Sequence, residues 1–148
     1  MSVSDLERAK AALAGDDTLG CAACCTDTNG HVDVLTGTGR GVRPLLQWLA
    51  TGQRLDGYAA ADRVVGKGAA LLYAKLGVAA VYAQTMSEAG LAALQAHHID
   101  ASYGTLIPVI LNRSRTGMCP IEQPVVDIDD PVQAEPAIRA AVAKLMCR

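Results

Sequence analysis

Four stretches of this chain hold residue types whose spacing could do chemistry: "NRSRTGMCPIEQP" at 112–124, "CAACC" at 21–25, "DRVVGKG" at 62–68 and "SEAG" at 87–90. In the first, Cys119 stands before Pro120 among Arg113, Arg115 and Glu122. Guanidinium groups close to a thiol favour the thiolate, so Cys119 is a candidate nucleophile and Glu122 a candidate proton carrier. Asn112 can orient a ligand carbonyl or amide through its two-sided amide. The same residues admit a structural role, in which Gly117 and Pro120 shape a turn, Cys119 fills a small apolar hole and Arg113 pairs with Glu122.

The third and fourth stretches are helix starts. Asp62 reads as the N-cap of a helix running to a Gly77 C-cap, with Val65, Ala69, Leu72 and Leu76 on one face. Ser87 caps a second helix, and Glu88 suits its dipole. Backbone N–H groups make such ends anion sites. Gly66 and Gly68 allow another group to come close, and Lys67 extends from the first turn. Between Arg40 and Lys75 the charges are Arg40, Arg43, Arg54, Arg63, Lys67 and Lys75 against Asp56 and Asp62, a basic run in a chain of net charge −2. A phosphate or carboxylate suits this surface, which makes Asp62, Gly66, Lys67, Ser87, Glu88, Asn112 and Arg113 the candidate ligand-binding residues. The alternative reads the same residues as caps, close-packing glycines and a solvated lysine.

Other motifs fail on inspection. "GTGRGV" has Val42 where a dinucleotide-binding turn needs its third glycine, and "VVGKG" lacks the first Gly and the Ser or Thr of a P-loop. In a strand, Cys21 and Cys25 of "CAACC" face one side and Cys24 the other, so the Cys21/Cys24 pair cannot chelate one ion without a bend. His97 and His98 are adjacent and converge poorly on one centre, and His31 reads as a solvated loop residue. The expectation is no metal and no cofactor.

These residues must be positioned by a chain of 148 residues, long enough to bury about two thirds of its unfolded surface in one domain. It is 51% hydrophobic but only 3% aromatic, with no Phe, so its core must be built of small aliphatic side chains in close contact. The charge balance gives no field for nucleic acid, and no apolar run approaches a membrane span. Without a leader pattern, and with an odd number of cysteines, the chain reads as cytoplasmic with reduced thiols.

"SDLE" opens a helix to about Ala14, with Leu6, Ala9 and Leu13 as its stripe. "LGCAACCTD" and "HVDVLTG" flank Asn29-Gly30 as a hairpin, and "RPLLQWLATG" is a helix with Pro44 in its first turn. "VAAVYAQTM" reads as a strand buried on both faces, and "IDASYGTLIPVILN" as a bent or edge strand. "PVVDIDDP" reads as a short strand, after which Asp130-Pro131 starts a last helix carrying Ile138, Ala141, Val142 and Leu145 inward. The class is α/β, one domain over residues 1–148, with a mixed sheet and an N-terminal hairpin.

The element order resembles the cytidine-deaminase-like fold, a three-layer sandwich. "ADRVVGKGAALL", "VYAQTMSEAGLAAL" and "NRSRTGMCPIE" resemble an uncharacterised bacterial domain family of that fold, over about Cys24 to Val126. Zinc deaminases of this fold place His-Ala-Glu or Cys-Ala-Glu at one helix start and Pro-Cys-x-x-Cys at the next. The resemblance aligns "DRVVGK" and "SEAG" with those motifs, and neither contains Cys or His, which implies a fold without catalytic zinc. It also implies a small residue at Arg115 and Ala at Gly68, positions where this chain departs.

Three functions remain open. One is a module for a small anionic or nucleotide-type ligand; another is a thiol enzyme, in group or sulfur transfer, using Cys119. The last is an interaction protein, marked by a stable homo-oligomer or an exposed apolar patch.

Overall fold

Ser4 Oγ accepts from the Glu7 N–H at 3.2 Å and starts α1 (Asp5–Ala14), as the capping pattern requires. β1 (Leu19–Thr26) leads to a turn in which Asp27 Oδ1 accepts from the N–H groups of Asn29 and His31 and Gly30 takes φ +79°, and β2 (Val32–Thr38) returns antiparallel. There follow α2 (Arg43–Ala50), β3 (Ala59–Val65), α3 (Lys67–Leu76), β4 (Ala80–Ser87), α4 (Glu88–Ala96), β5 (Asp100–Ile107), a 3-10 turn (Gln123–Val125) and α5 (Pro131–Met146). The computed structural model describes residues 4–39 and 41–146; Arg40 of the basic run and Cys147 lie outside the described residues.

The five strands form one mixed sheet in the order β2-β1-β3-β4-β5. β1 is antiparallel to both of its neighbours, whereas β3, β4 and β5 run parallel. Alternation along the strands divides the core between two faces. On one, Ala9 and Leu13 of α1 pack with Leu19, Cys24 and Ala61. On the other, Cys21, Ala23, Ala60, Val81 and Ala83 meet side chains of α2, α3, α4 and α5. Cys21 and Cys24 therefore face opposite sides, as strand geometry demands. Small residues let the elements come close: a Cβ on Gly90 would stand 2.8 Å from the Val65 carbonyl oxygen, so the start of α4 lies directly against the end of β3.

Two expected elements differ. The stretch from Asp62 is not continuous helix, since Ala59–Val65 is a strand and the helix begins only after Gly66. Val65 faces the same core as Ala69, Leu72 and Leu76, so a strand end and a helix face together imitate one helical period. Asp62 consequently caps nothing. "PVVDIDDP" supplies the 3-10 turn and a loop instead of a strand; Pro124 removes a donor that a ladder would use.

The strand reverses the roles of Asp62 and Arg63. Arg63 points to the α1 side and binds the carbonyl oxygens of Leu13 at 2.9 Å, Asp16 at 3.1 Å and Leu19 at 3.1 Å, a cation at the C-terminal end of α1. Asp62 points the other way and is only 4% exposed. Its Oδ2 accepts from the Tyr73 hydroxyl at 2.6 Å. Burial pushes the Asp62 carboxyl up to about 7, against hydrogen bonds from Tyr73 and the Val64 N–H that favour the anion. Burial likewise raises the Cys21 thiol and the Tyr73 hydroxyl, which share this pocket.

An acid whose pKa is raised on folding contributes stability that is present below its unfolded value and lost as pH rises through the folded one. Wild type should therefore lose roughly 2–3 kcal/mol between pH 5 and pH 8 relative to Asp62→Asn, measured by denaturant unfolding of both proteins. Parallel pH profiles for the two proteins would show that Asp62 titrates alike in folded and unfolded chains.

Candidate functional site

The parallel strands β3, β4 and β5 end on the same side of the sheet, where α3 and α4 begin and where the chain leaves β5 through Pro108. This is the edge at which open α/β sheets form ligand crevices. A cavity of about 460 Å³ lies there, between α3, α4 and the 108–129 segment. Lys67, Ser87 and Glu122 border it from three separate stretches of chain. Its remaining wall is mainly apolar, formed by Ala89, Ala92, Ala93 and Ala96 of α4 with Val109 and Ile110 opposite.

The N-terminus of α3 is an anion site, and the chain fills it with its own carboxylate. Glu122 Oε1 accepts from the Lys67 N–H at 2.7 Å, and Oε2 accepts from the Gly68 N–H at 2.9 Å. Gly66, the N-cap, has no side chain for this purpose, so a residue 55 positions beyond Lys67 caps the helix. The glycines make room for it. A Cβ on Gly66 would stand 2.1 Å from Glu122 Oε1, and one on Gly68 would stand 3.0 Å from Oε2. Glu122 is 8% exposed with both oxygens engaged, so the expected proton carrier is a helix cap.

Lys67 Nζ reaches along the cavity mouth, donating to the Val126 carbonyl oxygen at 2.9 Å and pairing with the Asp129 carboxylate at 2.9 Å. His97 Nε2 lies 3.1 Å from the Asp129 carbonyl oxygen. Ser87 Oγ accepts from the Gly90 N–H at 3.0 Å, the expected cap of α4, and is buried. Glu88 opens α4 but is exposed and does not border the cavity.

The other expected residues separate from this group. Asp62 and Arg63 border a different cavity of about 500 Å³ beside Gly39 and Gly41. Cys119, Asn112 and Arg113 border a third, of about 1020 Å³, between their loop and Ala137, Ala141 and Lys144 of α5. Cys119 thus does not share a cavity with Lys67, and Glu122, three residues on, is turned to α3. Asn112 organises its own loop, its Oδ1 accepting from the Thr116 N–H at 3.0 Å and its Nδ2 donating to Thr116 Oγ1 at 3.1 Å. The Arg113–Glu122 pair does not form, because Glu122 serves the helix. Arg115 sits at φ +58° in this turn, the left-handed region that a smaller residue occupies more easily.

Three further cations of the basic run are engaged in the same way. Arg54 pairs with Asp56 at 2.9 Å, Lys75 with Glu135 at 2.5 Å, and Arg63 holds the end of α1. Asp129 and His97, which sequence reasoning did not select, belong to the mouth. Asp129 lies in an acidic run legible only as the lead into α5, where Asp130 Oδ1 accepts from the Val132 N–H at 2.9 Å. Among the described residues no group of three or more His, Cys, Asp or Glu is arranged to hold a metal ion. No helix among them is long and apolar enough to cross a membrane.

Removing the Glu122 carboxylate leaves two N–H groups unpaired at a covered helix start. Glu122→Ala should cost about 2–4 kcal/mol in denaturant unfolding, and Glu122→Gln, with one acceptor oxygen, clearly less. Equal losses for the two variants would assign the effect to packing alone.

No curated protein matches the chain. The crystal structure of a DUF1893 family protein (TM1506) from Thermotoga maritima superposes with a TM-score of 0.74 at 25% identity, covering 97% of this chain and 92% of that one. A dCMP deaminase from the cyanophage S-TIM5, in apo form, gives a TM-score of 0.38 at 17% identity over 56% of this chain and 79% of that one. The family model for a domain of unknown function, DUF1893, matches residues 19–142, from the first strand into the last helix, and the chain belongs to that family.

Proposed function

We propose that this chain binds a small organic molecule in the cavity between α3 and α4, with an anionic head at Lys67 and an apolar body along the alanines of α4. The reading rests on one observation: Lys67, Ser87 and Glu122, distant in sequence, converge on one concave and mainly apolar space at the carboxyl ends of parallel strands. A volume near 460 Å³ falls within the range of small-molecule sites. Lys67 and His97 are its basic side chains. Because Glu122 already holds the α3 amides, the head group meets an ammonium rather than a helix-end phosphate cradle. This favours a compact organic anion over a nucleotide.

The test is thermal unfolding with a panel of small organic acids. A bound acid at about a hundredfold its Kd should stabilise wild type by roughly 2.7 kcal/mol. Lys67→Ala, compared with its own unliganded form, should lose most of that gain. An equal gain in Lys67→Ala, or none in wild type across the panel, would count against the cavity as a binding site.

A further inference from the structure

We infer that the ligand of this cavity is a monocarboxylate with an apolar body, and that its carboxylate exchanges with that of Asp129 on Lys67. The inference rests on the cavity reading above and adds the class of ligand and the group it displaces. Two of the chain's own carboxylates already stand at the two anion-binding positions of this space, the α3 amides and the Lys67 ammonium, and they are unequal. Glu122 is 8% exposed and bonded through both oxygens to backbone N–H groups. Asp129 meets the Lys67 ammonium through one oxygen, and its side chain is 91% exposed, against 15% for Lys67.

An ion pair with one partner in water contributes little, so Asp129 can leave at small cost. Glu122 cannot, because its departure strands two amide donors. Asp129 is therefore the anion that gives way. Its backbone need not move, since its carbonyl oxygen lies 3.1 Å from His97 Nε2 and Lys67 also keeps the Val126 carbonyl oxygen.

The charge count selects the incoming head group. One ammonium, already sharing a donor with Val126, can neutralise one negative charge. A phosphate monoester brings nearly two, beside Glu122, which stays in place. A monocarboxylate reproduces the anion it replaces. The walls select the rest of the molecule. Ala89, Ala92, Ala93 and Ala96 line the cavity together with Val109 and Ile110, surfaces that reward burial of an aliphatic or aromatic body and offer it few hydrogen bonds.

Calorimetric titration of the full chain with octanoate, 1-octanol and octyl phosphate tests both parts. Octanoate should bind wild type more tightly than octanol or octyl phosphate. Asp129→Asn, a change at an exposed side chain, should tighten octanoate by about fivefold by removing the competing pair. Octanol affinity should not change, and Asp127→Asn, at a neighbouring exposed carboxylate, should alter neither ligand. If octanol binds but Asp129→Asn leaves octanoate unchanged, the displacement is wrong while the cavity reading survives. Tighter binding of octyl phosphate than octanoate overturns the ligand class. Binding of none of the three removes the cavity reading and this inference together.

Discussion

The carboxylate of Glu122 on the first amides of α3 is the contact on which the arrangement of this edge depends. A helix that starts directly from a buried strand leaves N–H groups with no water to receive them. Gly66 cannot cap, and its lack of a side chain is what admits the distant carboxylate. The cap in turn ties the 108–125 segment across the end of the sheet. Ile110 and Ile121 approach the same glycines, and Cys119 and Glu122 are joined through a turn in which the Glu122 N–H donates to the Cys119 carbonyl oxygen at 2.9 Å. One helix cap thus positions the loop, closes one wall of the cavity and leaves Cys119 outside it.

The half-buried charges around the core follow the same logic of internal satisfaction. Arg63 supplies the cation that α1 lacks in its last turn, and Lys75, Glu135 and Arg139 tie α5 to α3, with Arg139 also donating to the Leu46 carbonyl oxygen at 2.9 Å. Among the described residues no buried side-chain nitrogen or oxygen lacks a partner. A core of alanine, glycine, leucine and valine has little volume with which to shield such groups, so each must meet its partner directly.

Local signals made much of the fold legible. Ser4, Ser87 and Gly77 announce helix ends through contacts within a few residues, and Asn29-Gly30 announces the hairpin in the same way. The parallel crossovers follow from alternating apolar runs and helical stripes. The strand β3 was hidden because Asp62 satisfies the local rule for a cap and Val65 continues the helical stripe, while the true sign, Gly66, also fits a close-packed helix. Lys67 and Ser87, which border the cavity, were legible as residues of helix starts, since helix ends advertise themselves. The group that Gly66 and Gly68 admit was not. A pair of small residues at a helix start says that something approaches, and a ligand or a carboxylate 55 positions away leaves the same trace.

That ambiguity has a physical consequence for what the site can hold. Were the α3 amides open, the cavity would offer a dipole, two N–H groups and an ammonium, a combination suited to phosphate. With Glu122 in place, the same helix end presents a carboxylate, and the local charge is set by one lysine between two acids. Lys67 is then the hinge of the electrostatics: its first-turn backbone receives Glu122 and its side chain receives Asp129. On the proposed reading, an anion entering the cavity would compete for the side chain alone, and the apolar wall of α4 would supply the binding strength that the single charge does not.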